Sequence, residues 1–113
     1  MMLRLAFFLM FSHFVTVTWD DAINPAGTTY TVYRGDAPCA SAPAFSALQS
    51  GIQQRVYVDT AVVGGASYCY YTTAVYGGLE SVPSNLADGN VPPDAGGMTF
   101  TGVSISGPAI MRD

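Results

Sequence analysis

The sequence predicts an all-β protein, a β-sandwich whose antiparallel strands cover a core on one side only. Apolar and polar residues alternate with a period of two in several segments, first at residues 15–19 (Val-Thr-Val-Thr-Trp) and again at residues 30–34. Such alternation is typical of strands with one buried face. Turn-forming residues separate these segments, and the sequence shows no helical period, so we expect about seven short strands rather than helices.

The first clear strand is predicted at residues 14–19, with Val15, Val17 and Trp19 on one face. Asp-Asp, Asn-Pro and Ala-Gly pairs follow in residues 20–28, and these residue types favour turns. The next strand is predicted at residues 30–34, where Gly35 ends it.

The second half of the predicted sandwich is less regular. Residues 36–50 are rich in Ala, Ser and Pro, which indicates a long connection with at most a short edge strand. A short strand is predicted at residues 55–59, and a turn followed by a long strand at residues 62–75. A last strand at residues 84–91 has weak alternation.

The two ends of the chain differ from this pattern. We expect residues 1–92 to form the sandwich, and the apolar residues 1–12 to be a retained first strand or a docking segment. A secretory signal and a wrongly assigned gene start are the alternatives for that segment. Residues 93–113 are predicted to be a linker and a β-prone tail outside the sandwich, too short for a core of its own.

Charge and length exclude two classes of partner. The net charge is −4 at pH 7, and the 4 basic residues are scattered arginines. Nucleic-acid binding requires clustered basic residues that displace counterions, so we expect no nucleic-acid partner. The N-terminal apolar run is far shorter than the roughly 20 residues of a membrane-spanning helix, so we expect no membrane span.

The 2 cysteines, Cys39 and Cys69, favour a disulfide and an oxidising, extracellular setting. Such a bond would stabilise the fold by about 3.7 kcal/mol in the chain-entropy model. The alternative is a pair of free thiols in a cytosolic protein. Their spacing is not that of a metal site or a redox motif.

Three segments resemble the fibronectin type III family in its bacterial form. Residues 15–19 resemble the family's aliphatic-x-aliphatic-x-Trp strand, and residues 30–34 resemble its Tyr-x-Val-Tyr-Arg strand. Residues 78–85 are similar to its Gly-x-Glu-Ser-x-x-Ser-Asn approach to the final strand. The resemblance covers about residues 13–92 and implies an immunoglobulin-like sandwich.

The resemblance also implies internal landmarks. Val62, Gly65 and Tyr68 resemble the turn into a tyrosine corner, in which the tyrosine hydroxyl bonds back to the backbone. We expect the core to contain the aromatic landmarks Trp19, Tyr30, Tyr68 and Tyr70. Four other tyrosines are expected to be partly exposed: Tyr33, Tyr57, Tyr71 and Tyr76. Cys69 should face the outer surface of its sheet, where a bond to Cys39 would act as a surface staple.

No catalytic, cofactor-binding or metal-binding residue is predicted. Arg34-Gly35-Asp36 spells the integrin-binding tripeptide, but tripeptides recur by chance. His13 is the only histidine, and one histidine makes neither a metal site nor a triad. Calcium needs 6–8 oxygen ligands, more than the loop around Asp20 supplies, and Glu80 is a single glutamate where a glycosidase needs two carboxylates. We therefore expect no enzyme and no cofactor.

The function that the sequence favours is a non-catalytic structural and interaction module of a larger extracellular assembly. A phage virion, in its capsid or tail, and a surface filament are the two settings we expect, and protein subunits, including other copies of this chain, are the expected partners. The predicted contacts are apolar residues of the two ends: Leu5, Phe7, Phe8, Phe11, Met98, Phe100, Val103 and Ile105. The alternative is an adhesion or carbohydrate-associated spacer from a larger bacterial surface protein or enzyme. No motif supports carbohydrate as the partner.

Overall fold

Short β-strands make up almost all the regular structure of the residues that can be described. The computed structural model describes residues 13–20 and 23–93, and for the backbone also residues 100–105. The described strands are β1 (Val15–Trp19), β2 (Thr29–Gly35), β3 (Phe45–Ile52), β4 (Val56–Asp59), β5 (Ser67–Tyr76), β6 (Leu79–Glu80), β7 (Ala87–Asn90) and β8 (Phe100–Ile105). One turn of 3-10 helix lies at Cys39–Ser41. The all-β class predicted from the alternation is confirmed.

The described strands form two sheets. One has the order β4-β1-β8, and the other has the order β3-β2-β5-β6, with β7 paired to another part of β5. All pairings in the larger sheet are antiparallel. In the smaller sheet β1 pairs antiparallel with β4 and parallel with β8. The chain therefore passes from one sheet to the other after β1, where β2 joins the larger sheet.

Both sheets contribute side chains to one hydrophobic core. Val15, Val17 and Trp19 of β1 belong to the same buried cluster as Tyr30 and Val32 of β2. Fully burying one such side chain contributes roughly 1.5–3 kcal/mol, so this cluster is the main term that holds the sheets together.

The predicted tyrosine pattern is confirmed along β2 and β5. Tyr30, Tyr68 and Tyr70 are buried, as is Trp19. The four tyrosines predicted to be accessible are half-buried at Tyr33, Tyr57 and Tyr71 and exposed at Tyr76.

The connection predicted at residues 36–50 contains a strand longer than expected. β3 has 8 residues, Phe45–Ile52, and forms one edge of the larger sheet. Its register against β2 shifts twice, between Tyr30 and Val32 and again between Val32 and Tyr33. Each shift interrupts the strict alternation of side chains between faces, so a search for period two underestimates this strand.

The segment between β6 and β7 covers the edge of β5 without being a strand. Ser81 Oγ accepts a hydrogen bond from the Ala74 N–H at 2.9 Å, and Ser84 Oγ accepts one from the Thr72 N–H at 3.0 Å. The two serine N–H groups in turn donate to the carbonyls of Ala74 and Thr72. Pro83 lies between these serines, and proline cannot donate to a ladder. The serine hydroxyls therefore satisfy the edge of β5 where a regular strand is interrupted.

The C-terminal tail departs from its prediction. Its β character is confirmed at Phe100–Ile105, but the expectation that the tail lies outside the two sheets is wrong for these residues, because β8 pairs with β1. Alternation predicts a strand but contains no information about the edge on which it pairs. The apolar segment at residues 1–12, with Leu5, Phe7, Phe8 and Phe11, lies outside the described residues, and so does Met98.

Candidate interaction site

The edge of β1 is the place where a terminal segment of this chain joins the folded body. On one side β1 pairs with β4, from Val15 opposite Asp59 to Thr18 opposite Val56. On the other side it pairs with the backbone of β8. Partners there are Val15 with Phe100, Val17 with Val103, Thr18 with Ser104 and Trp19 with Ile105. Of the predicted assembly contacts, the structure thus brings Phe100, Val103 and Ile105 to one edge.

The pairing of β8 with β1 is irregular. Three residue steps of β8, from Phe100 to Val103, correspond to two steps of β1, from Val15 to Val17. One residue of β8 is therefore extra, as in a β-bulge. Parallel pairs are also slightly less stable per residue than antiparallel ones. The contact between β8 and β1 is consequently weaker than a regular antiparallel pair of the same length.

Trp19, at the C-terminal end of β1, is buried but not fully satisfied. Its side chain is 5% exposed, and its ring lies 5.5 Å from the ring of Tyr30. Within the described part of the chain, Trp19 Nε1 is a buried donor without a hydrogen-bond acceptor. An unmet buried donor costs about 1–3 kcal/mol. The end of β1 that pairs with Ile105 therefore contains a buried N–H group, Trp19 Nε1, that makes no hydrogen bond to any described residue.

An ion pair joins the two sheets behind this edge. Arg34 Nη1 donates to both carboxylate oxygens of Asp59, at 3.0 and 3.3 Å, and also to the Ala61 carbonyl at 3.0 Å. The guanidinium carbon lies 4.8 Å from the centre of the Tyr68 ring, a distance at which a cation–π interaction forms. Burial alone would lower the pKa of Arg34, but the hydrogen bond and charge of Asp59 outweigh it and raise that pKa. The guanidinium is therefore held as a permanent cation.

Asp59 is the centre of this polar cluster. It accepts hydrogen bonds from the Tyr70 hydroxyl at 2.8 Å and from the Ala61 N–H at 3.1 Å, besides those from Arg34. Burial, followed by the hydrogen bond to Asp59, raises the pKa of Tyr70 above its ordinary value. β4 thus contacts β2 and β5 through one carboxylate. Asp59 was not among the residues predicted from the sequence, although its position two residues after Tyr57 on a half-buried strand indicates an inward-facing acid.

The integrin interpretation of Arg34-Gly35-Asp36 is not supported by this geometry. The Arg34 side chain is 15% exposed, and its Nε donates to Asp36 at 2.9 Å while Nη1 is bound to Asp59. Gly35 is buried, and a Cβ there would lie 2.6 Å from Pro43 Cγ. The tripeptide is therefore part of the structural ion pair and does not form a protruding loop.

The outer face of the larger sheet has a short row of rings, here called the aromatic row. It consists of Phe45, Tyr71 and Tyr33. Tyr33 and Tyr71 are stacked at 4.6 Å, and Phe45 is tilted against Tyr71 at 4.8 Å. Glu80 accepts hydrogen bonds from the hydroxyls of Tyr33 at 2.5 Å and Thr73 at 2.6 Å.

Those hydrogen bonds change the acidity of the groups around Glu80. The hydrogen bond to Glu80 raises the pKa of Tyr33 to about 12, with smaller effects from burial and from the charge of Glu80. The hydrogen bonds from Thr73 and Tyr33 lower the pKa of Glu80. Glu80 is therefore an acceptor that stays ionised, which is the opposite of what a general acid requires.

The disulfide predicted between Cys39 and Cys69 is formed, with the two Cα atoms 4.9 Å apart. Cys39 N–H donates to Asp88 Oδ1 at 2.8 Å, which ties the 3-10 helix to β7 as well. Cys69 is fully buried, so the bond is not the surface staple that was expected. Alternation places Cys69 away from the core, but the short helix around Cys39 covers it.

The remaining candidate residues have structural surroundings. His13 is half-buried, and a Cβ on Gly64 would lie 2.9 Å from His13 Cε1, so the histidine packs on that glycine. Asn24 donates to the Tyr30 hydroxyl at 3.2 Å. Between residues 13 and 93, apart from 21 and 22, no three His, Cys, Asp or Glu side chains are grouped as a metal site would require. In the described part of the chain, no helix has the length and apolar character needed to cross a membrane.

Comparison with known proteins adds no relative. No protein-family model matches the sequence. A search of curated proteins finds no significant similarity.

Proposed function

We propose that this chain is a non-catalytic structural and interaction module with a fibronectin type III-like fold. It joins a larger extracellular assembly, such as a virion capsid or tail or a surface filament, through its terminal segments. The observation that supports this most directly is that a terminal segment, β8, pairs with the edge of β1. Adding an extended segment to an open sheet edge is a recurrent way in which proteins bind one another.

The strand order supports the fold part of the proposal. β1 pairs with β4, and β2 pairs with β5, although neither pair is adjacent in sequence. Immunoglobulin-like sandwiches have the same crossing between sheets, with the second strand beside the fifth and the third beside the sixth. The Tyr68 hydroxyl also accepts a hydrogen bond from the Val63 N–H at 2.9 Å, which agrees with the predicted tyrosine corner.

Contacts in the interior would keep the two sheets together when a partner attaches to the β1 edge. The Arg34–Asp59 ion pair and the shared core join the two sheets, and the disulfide fixes the connection after β2 to β5. β1 is therefore held from behind by the core and from one side by β4. A strand that pairs with its other edge would attach to a rigid body.

Truncation tests the proposal. Deleting residues 98–113 should abolish assembly, measured by native mass spectrometry or by imaging of the isolated particles, because the added strand is lost. Near-UV circular dichroism should retain the signals of Trp19 and the core tyrosines, which shows that the body still folds. Val82→Ser, on an exposed side chain between β6 and β7, is the control that should assemble normally. Normal assembly of the truncated chain would refute the proposal.

A second candidate function is an adhesion or carbohydrate-associated spacer, and the aromatic row favours it. Sugars stack on aromatic rings, and the aromatic row places three such rings side by side on the outer face. Affinity electrophoresis in gels containing soluble polysaccharides tests this. Retardation that Tyr33→Ala with Tyr71→Ala abolishes would favour the second candidate. Equal mobility with and without polysaccharide would count against it.

A further inference from the structure

We propose that β8 is exchanged between copies of this chain, so that β8 of one copy pairs with β1 of a second copy. The inference rests on the proposed function and identifies the assembly partner as another copy of the same chain. The acceptor site is the edge of β1, and the donor is the backbone of Phe100–Ile105, both of which are seen here paired within one chain. Exchange makes the same hydrogen bonds between two chains that the single chain makes with itself.

The energy difference between the two arrangements is small. Because the strand contacts are identical, exchange costs only the association of two chains and recovers the entropy of closing the connection to β8. The intrachain pair that must open is short, parallel and interrupted by one extra residue between Phe100 and Val103. Among the six described pairings it is the one parallel pair.

Backbone hydrogen bonds hold the chain in place up to Pro92, and residues that disfavour regular strands follow in the connection to β8. The Val91 N–H donates to the Ala66 carbonyl at 2.9 Å, and the Gly65 N–H donates to the carbonyls of Val91 and Pro92 at 2.9 and 3.1 Å. Residues 94–99 then lead to β8 and contain Gly-Gly after a Pro-Pro pair. Six residues extend over at most roughly 20 Å. A second copy can therefore accept β8 only if its β1 lies about that close to Pro93.

Charge permits two copies to meet at this edge. Each chain has a net charge of −4, so two copies repel each other on average. Neither β1 (Val15–Trp19) nor β8 (Phe100–Ile105) contains a charged residue. The opposite edge of the smaller sheet differs, because β4 ends at Asp59 and follows Arg55. Pairing of like chains at the β1 edge therefore brings no charged strand residues together. Reciprocal exchange would give a closed dimer, and one-way exchange would give a filament.

Engineered cysteines at one register position test the exchange. Thr18 is opposite Ser104, so Thr18→Cys with Ser104→Cys in the full-length chain should form a disulfide wherever β8 pairs with β1. Under assembly conditions we expect the crosslinked product to shift from monomer to dimer and higher bands on non-reducing gels. Mixing isotope-labelled and unlabelled chains should give mixed crosslinked dimers by mass spectrometry. Peptide mapping confirms that Cys39 and Cys69 keep their own bond.

Two further variants complete the test. Thr16→Cys with Ser104→Cys is the mismatched control, because Thr16 is two residues away from the register partner of Ser104, and it should crosslink poorly. Deleting Gly96 and Gly97 shortens the connection, which hinders intrachain pairing, so the interchain fraction should rise. Purely intrachain crosslinks at every concentration, in both the long and the shortened chain, would overturn the exchange. Loss of assembly on deleting residues 98–113 would then still support the proposed function with a different partner. If Thr18→Cys with Ser104→Cys forms no crosslink at all, β8 does not pair with β1 in this register, and the exchange is overturned as well.

Discussion

Asp59 of β4 binds Arg34 of β2 across the two sheets, with Nη1 and Oδ2 3.0 Å apart. The side chain of Asp59 is 2% exposed and that of Arg34 is 15% exposed, so this ion pair is shielded from solvent. The same guanidinium also binds Asp36, whose side chain is 72% exposed. One arginine therefore provides a buried and an exposed ion pair in the same protein, which allows their contributions to stability to be compared directly.

Replacing the buried partner should be far more harmful than replacing the exposed one. We expect Asp59→Asn to lower the free energy of unfolding by about 3 kcal/mol, because the Arg34 charge loses its partner in a poorly solvated place. Asp36→Asn should cost about 0–1 kcal/mol, as exposed pairs do. Urea unfolding at neutral pH measures both. Equal losses for the two variants would contradict the assignment of Asp59 as the centre of the cluster.

The two core tyrosines of β5 should differ in what their hydroxyls contribute. Tyr70→Phe removes a buried hydrogen bond to the Asp59 carboxylate, so we expect a loss of about 1.5–3 kcal/mol. Tyr68→Phe removes a part-buried bond from the Val63 N–H, so we expect a loss of about 1 kcal/mol. Denaturant midpoints of the two variants, compared at equal m-value, test this order. A larger loss for Tyr68→Phe would mean that the tyrosine corner matters more than the ion-pair cluster.

The Tyr33–Glu80 contact predicts a change in stability at alkaline pH. Because the pKa of Tyr33 is raised to about 12 in the fold from 10.0, the folded state favours the protonated phenol. This contribution is complete below pH 10 and is lost as the pH rises through 12. Absorbance titration of the phenolates should show one late tyrosine fewer in Glu80→Gln, since the carboxylate charge and its strong hydrogen bond are gone.

Tyr33→Phe is the control for that titration, because it removes the phenol and should eliminate the same late component. Tyr70 titrates late for a different reason, namely its own burial, and should be unchanged in both variants. A titration curve of Glu80→Gln that overlays that of the unmodified protein would show that Glu80 does not control Tyr33.

The parts of this structure that follow from alternation were predictable, and those that depend on pairing were not. Trp19, Tyr30, Tyr68 and Tyr70 were predicted as core residues because each lies on the apolar face of a regular strand. β3 (Phe45–Ile52) was underestimated because two register shifts disturb its period.

The candidate site was predicted only in part for the same reason. The sequence identified apolar residues in the tail, but it did not indicate that β8 would choose the edge of β1. Asp59 was not predicted as a site residue because its role depends on hydrogen bonds to distant residues. Arg34 lies 25 residues earlier in the chain, and Tyr70 lies 11 residues later. Local patterns do not contain such long-range contacts.

The disulfide provides a last prediction, in which its global and local effects separate. Cys39→Ala with Cys69→Ala should lower the free energy of unfolding by about 3–4 kcal/mol, because the bond closes a loop between residues 30 positions apart. Asp88→Ala, which removes only the hydrogen bond to the Cys39 N–H, is the control and should cost about 1 kcal/mol.

Amide hydrogen exchange should show where the loosening occurs. The Ala42 N–H, which donates to the Cys39 carbonyl in the short helix, should exchange much faster in the double variant. The Thr72 N–H, bonded to Ser84 on β5, should accelerate only as far as global stability falls. This difference follows because the bond fixes an exposed connection to a buried strand whose other contacts remain. Equal acceleration at both amides would instead mean that the disulfide stabilises the whole fold and does not act locally.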